Sequence, residues 1–142
     1  MVKLRAENKD DIVVISSLLQ DAILRVGEIK YSKTKHSLTL RFTRFRHETE
    51  KSERILCGLR LDGVGAVTSR GIEKDNKDAL AVLLSMTFEP SSNVALAPSG
   101  KVHLFFAGNG EILCDVECLD MTLADIAEAR ETKSQPLHPL ED

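Results

Sequence analysis

The chain has 142 residues and a mass of 15.7 kDa. A domain of this length buries roughly 68–70% of the surface its unfolded chain exposes, so one core can hold it without metal or disulfide staples. Hydrophobic residues make up 42% and charged residues 29%, which excludes wholesale disorder and a membrane-embedded protein. The net charge of -3 hides an asymmetry: residues 1–71 carry 14 Lys/Arg against 9 Asp/Glu, residues 72–142 carry 5 against 13, and eight of the nine arginines lie in the first half.

The first residues, Met1 to Glu7, contain no apolar run of the secretory kind. The longest mostly apolar stretch, Ala79 to Met86, falls far short of the roughly 20 residues that cross a bilayer. Cys57, Cys114 and Cys118 are an odd and sparse set for a secreted scaffold. A cytoplasmic protein without membrane association is expected.

In chain order, Asp10 and Asp11 put negative charge at a helix start. Ile12, Ile15, Leu19, Ala22, Ile23 and Val26 recur at helical spacing, and Gly27 follows as the stop. From Glu28 the period becomes two. Glu28 to Tyr31 reads as a short strand, and Ser32 to Lys35 as a turn. Leu38, Leu40 and Phe42 alternate with polar neighbours; Phe45 falls out of phase, which predicts a bulge or strand end near Arg44. A charged loop spans His47 to Glu53. Ile55, Cys57, Leu59 and Leu61 alternate next, and Asp62-Gly63 predicts a hairpin turn into Val64 to Arg70. Leu80, Val82, Leu84, Met86 and Phe88 alternate up to Pro90, and Pro90 to Gly100 reads as a loop.

The last hairpin is predicted to register. A three-residue loop Gly108-Asn109-Gly110, with Gly110 left-handed, pairs Phe106 with Ile112, Leu104 with Cys114 and Val102 with Val116 on the core face. On the outer face it pairs His103 with Asp115, Lys101 with Glu117 and Phe105 with Leu113. The apolar outer pair Phe105 and Leu113 suggests a covering helix or subunit. After Asp120, Thr122 and Asp125 resemble a capping box, and Leu123 with Ile126 suggests a short C-terminal helix. The expected fold is α+β. One domain over residues 1–130 holds a curved antiparallel sheet of about six strands, a roll or partly closed barrel, between two helices; residues 131–142 form a loosely ordered tail.

Tested for chemistry, the arginines come first. Arg41, Arg44, Arg60 and Arg70 cluster in the sheet region, and a guanidinium fork suits phosphate or carboxylate. The plain alternative is a set of solvated faces paired with nearby acids. A nucleic-acid role is disfavoured by a pI near 5.8 and by the lack of an aromatic-rich strand. Glu111, Asp115 and Glu117 share a strand face, but no glycine-bearing acidic loop encloses them, so no metal site is expected. His103 with Asp115 has no nucleophile assigned beside it. Cys114 and Cys118, about 13 Å apart at about 3.3 Å per residue of strand, cannot share one zinc. No phosphate-binding glycine loop, HExxH or GxSxG occurs. No cofactor or catalytic residue is expected.

Several segments carry a family resemblance: Leu19-Gln20-Asp21-Ala22-Ile23-Leu24-Arg25-Val26-Gly27, Thr68-Ser69-Arg70-Gly71-Ile72, Phe88-Glu89-Pro90, Asp115-Val116-Glu117-Cys118 and Ala124-Asp125. Together they resemble the signature of a small bacterial family known as domain of unknown function 2948, over Lys3 to about Arg130. The resemblance implies a stand-alone cytoplasmic bacterial protein and carries over no functional residue. It draws attention to Arg25 and Arg70, which could share an anion pocket near Gly71, where a ligand or another backbone can approach closely. Two functional readings follow. The first is a non-enzymatic binding or assembly module, possible as a homo-oligomer or with a protein partner, acting through a sheet surface such as Phe105 and Leu113. The second is an anionic-ligand binder or enzyme with a pocket at the mouth of the curved sheet.

Overall fold

The computed structural model describes residues 2–46, 53–126 and 130–131, with backbone alone at 46, 130 and 131. Asn8 caps the only α-helix among them: its side chain accepts from Asp11 N at 3.0 Å, and α1 runs Lys9–Leu19. Ile12, Ile15 and Leu19 form its buried stripe. The strands are β1 (Lys3–Ala6), β2 (Ile23–Arg25), β3 (Ile29–Ser32), β4 (Ser37–Arg46), β5 (Glu53–Asp62), β6 (Val64–Arg70), β7 (Leu80–Pro90), β8 (Gly100–Phe106), β9 (Gly110–Val116), β10 (Met121–Asp125) and the short β11 (Arg130–Glu131).

All pairs are antiparallel, in the order β1-β10-β5-β4-β2-β7-β8-β9-β6, with β3 also on β4 and β11 on β5. Because the path ends at β1 and β6, the sheet does not close. Its two halves meet at the three-residue β2. Leu40, Phe42 and Leu59 of one half share a single core cluster with Leu104, Ile112 and Cys114 of the other. That shared core requires the sheet to curl over itself, and the α1 stripe enters the same core. The α+β class is therefore observed, with eleven strands among the described residues rather than about six.

Several local expectations are corrected, each for a physical reason. The first helix stops at Leu19, well before Gly27: Asp21 takes φ 67°, and its N–H donates to Leu83 O at 2.8 Å. Ile23 to Arg25 fits both a helical and a strand period, and pairing with β4 and β7 decides for strand. No bulge falls near Arg44, and the last described residue of β4 is Arg46, two positions on. β4 pairs with β5 without a register shift from Ser37 to Arg46, and Arg44 is the next inward residue after Phe42. Asp62-Gly63 does not close a hairpin, since β4 and β10 already occupy both edges of β5. Gly63, at φ 68°, instead hands the chain to β6, which pairs with β9. In β7 a register shift between Leu83 and Ser85 breaks the expected alternation, so Leu83 and Met86 are buried while Leu84 faces out.

The final hairpin has the expected inner and outer faces but a register two residues away. Its turn is Ala107-Gly108-Asn109, with Gly108 at φ 77° and Asn109 at φ 65°. Phe106 stands opposite Gly110, Leu104 opposite Ile112 and Val102 opposite Cys114. A Cβ on Gly110 would lie 3.3 Å from Phe106 Cβ, so the small residue sits where the ring needs room. Finally, the segment expected as a C-terminal helix is β10, with Met121 and Leu123 buried between β1 and β5. The remaining expected helix residues 127–129, the loop residues 47–52 and the tail from 132 lie outside the described residues.

Candidate functional site

The five arginines singled out from sequence occupy four separate places. Arg44 and Asp125 are both 0% exposed; Nε and Nη2 of Arg44 reach Oδ1 and Oδ2 of Asp125 at 3.2 Å each. Val2 N also donates to Asp125 Oδ2, at 2.7 Å. This fork ties β4 to β10 inside the core. Cys57 lies beside it; burial pushes its thiol up to about 12, with Arg44 acting in the opposite direction. Burial likewise pushes Cys114 up to about 12. Neither thiol is a nucleophile near neutral pH.

Arg41 and Arg60 are brought together on the outer face of β4 and β5, where they flank a shallow groove of about 640 Å³. Arg41 stands opposite Gly58, and Ile126 overhangs that glycine, 3.2 Å from where a Cβ would be. Arg60 is held by Asp62 at 2.9 Å, and Glu28 joins the lining, so the groove carries both signs of charge. Arg70 is exposed and pairs with Glu111 at 3.4 Å, while Arg25 sits on β2 opposite Leu80. Neither lines the cavity of about 240 Å³ beside Gly71. What comes close to Gly71 is backbone: a Cβ there would lie 2.8 Å from Asn109 O.

Phe105 and Leu113 are half-buried on the outer face, diagonal to each other rather than opposed. Phe105 stacks on His103 with ring centroids 4.1 Å apart. The His103–Asp115 pairing is replaced by His103–Glu111 at 3.3 Å, and Asp115 takes Lys101 at 2.8 Å. That exchange follows directly from the hairpin register. Among the described residues no three His, Cys, Asp or Glu side chains gather as metal ligands.

A site not anticipated from the sequence lies between β3 and β6. A groove of about 480 Å³ is walled by Val26, Ile29, Tyr31, Val67, Ile72 and Ile112. Ile112 belongs to the core, so the groove floor reaches it. Ser69 adds a hydroxyl, and Lys30, Lys74 and Lys77 stand at the rim. Among the described residues no acidic side chain lines it, and none of the three lysines is in an ion pair. Its volume is within the usual range for ligand pockets, roughly 300–1,000 Å³, and apolar walls with a few charged groups are their usual chemistry. Lys30 alternating with Ile29 and Tyr31 was visible in sequence, but nothing local brings Ile72, Lys74 and Lys77 opposite it.

Fold and grooves define an α+β protein built on one open, curled antiparallel sheet with grooves on its surface. The chain belongs to the family described as Protein of unknown function (DUF2948), which matches residues 2–138. No curated protein and no solved structure matches it. No described helix is long and apolar enough to cross a membrane.

Proposed function

We propose that this protein is a non-enzymatic binding module whose ligand combines an apolar body with an anionic group and lies in the groove between β3 and β6. The observation that carries this reading is the lining itself: an apolar wall reaching the core, three rim lysines and, among the described residues, no carboxylate. In such a groove an apolar body gains by leaving water, and an anion gains from the lysines without competition. The cysteines are free, which supports a reducing compartment such as the bacterial cytoplasm.

Calorimetric titration with decanoate, and with decanol as the uncharged control, tests the reading. Decanoate is expected to bind and decanol to bind more weakly. Replacing both Lys74 and Lys77 by alanine removes two rim contacts of about 0.7 kcal/mol each, about tenfold in affinity. Equal affinity for the two probes, or an unchanged double variant, would overturn it. A second reading, self-association through the outer face of β7 and β8, is favoured by Leu80 and Leu84, which are 60% and 45% exposed there. Light scattering decides that one.

A further inference from the structure

We infer that the occupant of the groove between β3 and β6 is an extended acidic peptide segment that adds as a strand between them. This inference rests on the groove being the binding site, and it names the class of partner.

The first support is the two facing edges. β3 is paired only with β4, and β6 only with β9. Between them no backbone hydrogen bond is made among the described strand residues beyond the ends of the gap. At one end Val64 N donates to His36 O at 2.8 Å, and the Tyr31 hydroxyl donates to Val64 O at 3.2 Å. At the other, Gly27 N donates to Lys77 O at 2.9 Å. The gap is thus pinned at both ends and open along its middle. Unpaired strand edges carry rows of N–H and C=O groups that another chain can pair with.

The second support is that each edge can pair with an inserted strand. Tyr31, near the end of β3, meets Val64 at the start of β6, and Gly27, ahead of β3, meets Lys77, beyond β6. The two edges therefore run oppositely across the gap, and a strand laid between them is antiparallel to one and parallel to the other, both of them established ladder geometries. β3 has four residues, so the open stretch spans about 13 Å and takes about four extended residues.

The third support is side-chain chemistry. Ile29 and Tyr31 on one wall, and Val67 and Ser69 on the other, each alternate by two, as a strand's own side chains do. An inserted segment puts every second side chain against these walls and Ile112. Its other side chains face out, where Lys30, Lys74 and Lys77 favour acids.

The probe is a blocked peptide of about six residues alternating valine and glutamate, compared with the same peptide N-methylated on alternate amides. N-methylation removes main-chain donors and leaves the side chains. The unmodified peptide is expected to bind, the methylated one at least about tenfold more weakly. The variant carrying Lys74→Glu and Lys77→Glu, both exposed, should lose binding similarly. Slower amide hydrogen exchange in residues 29–31 and 67–69 on binding would place the peptide on both edges. Equal binding of the two peptides overturns strand addition. If decanoate binds and neither peptide does, strand addition falls and the groove reading stands. If none of the three probes binds, the groove reading itself falls.

Discussion

Arg44 is the residue at which pattern and chemistry disagree. The inward positions of β4 run Leu38, Leu40, Phe42 and then Arg44, all of them buried. Alternation alone puts the arginine inside, at a cost of desolvation, while Phe45 falling out of phase argued for a bulge or strand end near it. What offsets that cost is Asp125, eighty-one residues away in sequence, so no local reading could supply it. Removing one partner leaves a buried charge without its counter-charge, which typically costs about 3–5 kcal/mol. Replacing both by apolar side chains of similar size costs far less. Arg44→Met is therefore expected to lower unfolding free energy by about 3–5 kcal/mol, and Arg44→Met with Asp125→Leu to recover most of the loss. Urea denaturation of the two single variants, the double and the parent measures the coupling; additive losses would refute it.

Among the elements, strands whose apolar residues alternate beside polar neighbours were legible: β4, β5, β8 and β9 lie where the period of two puts them. Segments that satisfy two periods at once were not. Ile23 to Arg25 and Met121 to Asp125 are strands because an open sheet edge was available to each. The β3–β6 groove was illegible for the same reason, being made only when distant strands curl together. Glycines at the corners fix such contacts and can be tested against each other. Gly71 and Gly108 both have positive φ, 70° and 77°. A Cβ at Gly71 meets Asn109 O at 2.8 Å, whereas at Gly108 it meets nothing within 4 Å. Gly108→Ala should cost only the left-handed strain, about 1–2 kcal/mol. Gly71→Ala should cost clearly more, because the β8–β9 turn must move away. Thermal or urea unfolding of both variants ranks them, and an equal or reversed order would show that the turn yields freely.

At the scale of the whole molecule, the basic first half and acidic second half are brought together by the fold itself. Arg5 meets Asp120 at 3.2 Å, Arg44 meets Asp125 and Arg70 meets Glu111 at 3.4 Å, each joining a first-half arginine to a second-half acid. On the outer face of β8 and β9, Lys101 and Asp115 neutralise one another at 2.8 Å. Charge is thus largely used internally there, and the exposed residues in the first half of β7 are the apolar Leu80 and Leu84, with Thr87 and Glu89 exposed further along. Leu84, displaced outward by the bulge, stands beside the Phe105 position, and Leu80 is on the same outer side of β7. If this face associates with its counterpart on a second copy, the driving term is apolar burial, which salt does not screen. Light scattering should then report twice 15.7 kDa, at low and at high salt alike. Leu84→Lys, at a position already 45% exposed, should keep the fold and yield a monomer. A strict monomer for the parent at both salt concentrations would remove self-association through this face. A dimer that dissociates only as salt rises would assign the contact to charge instead.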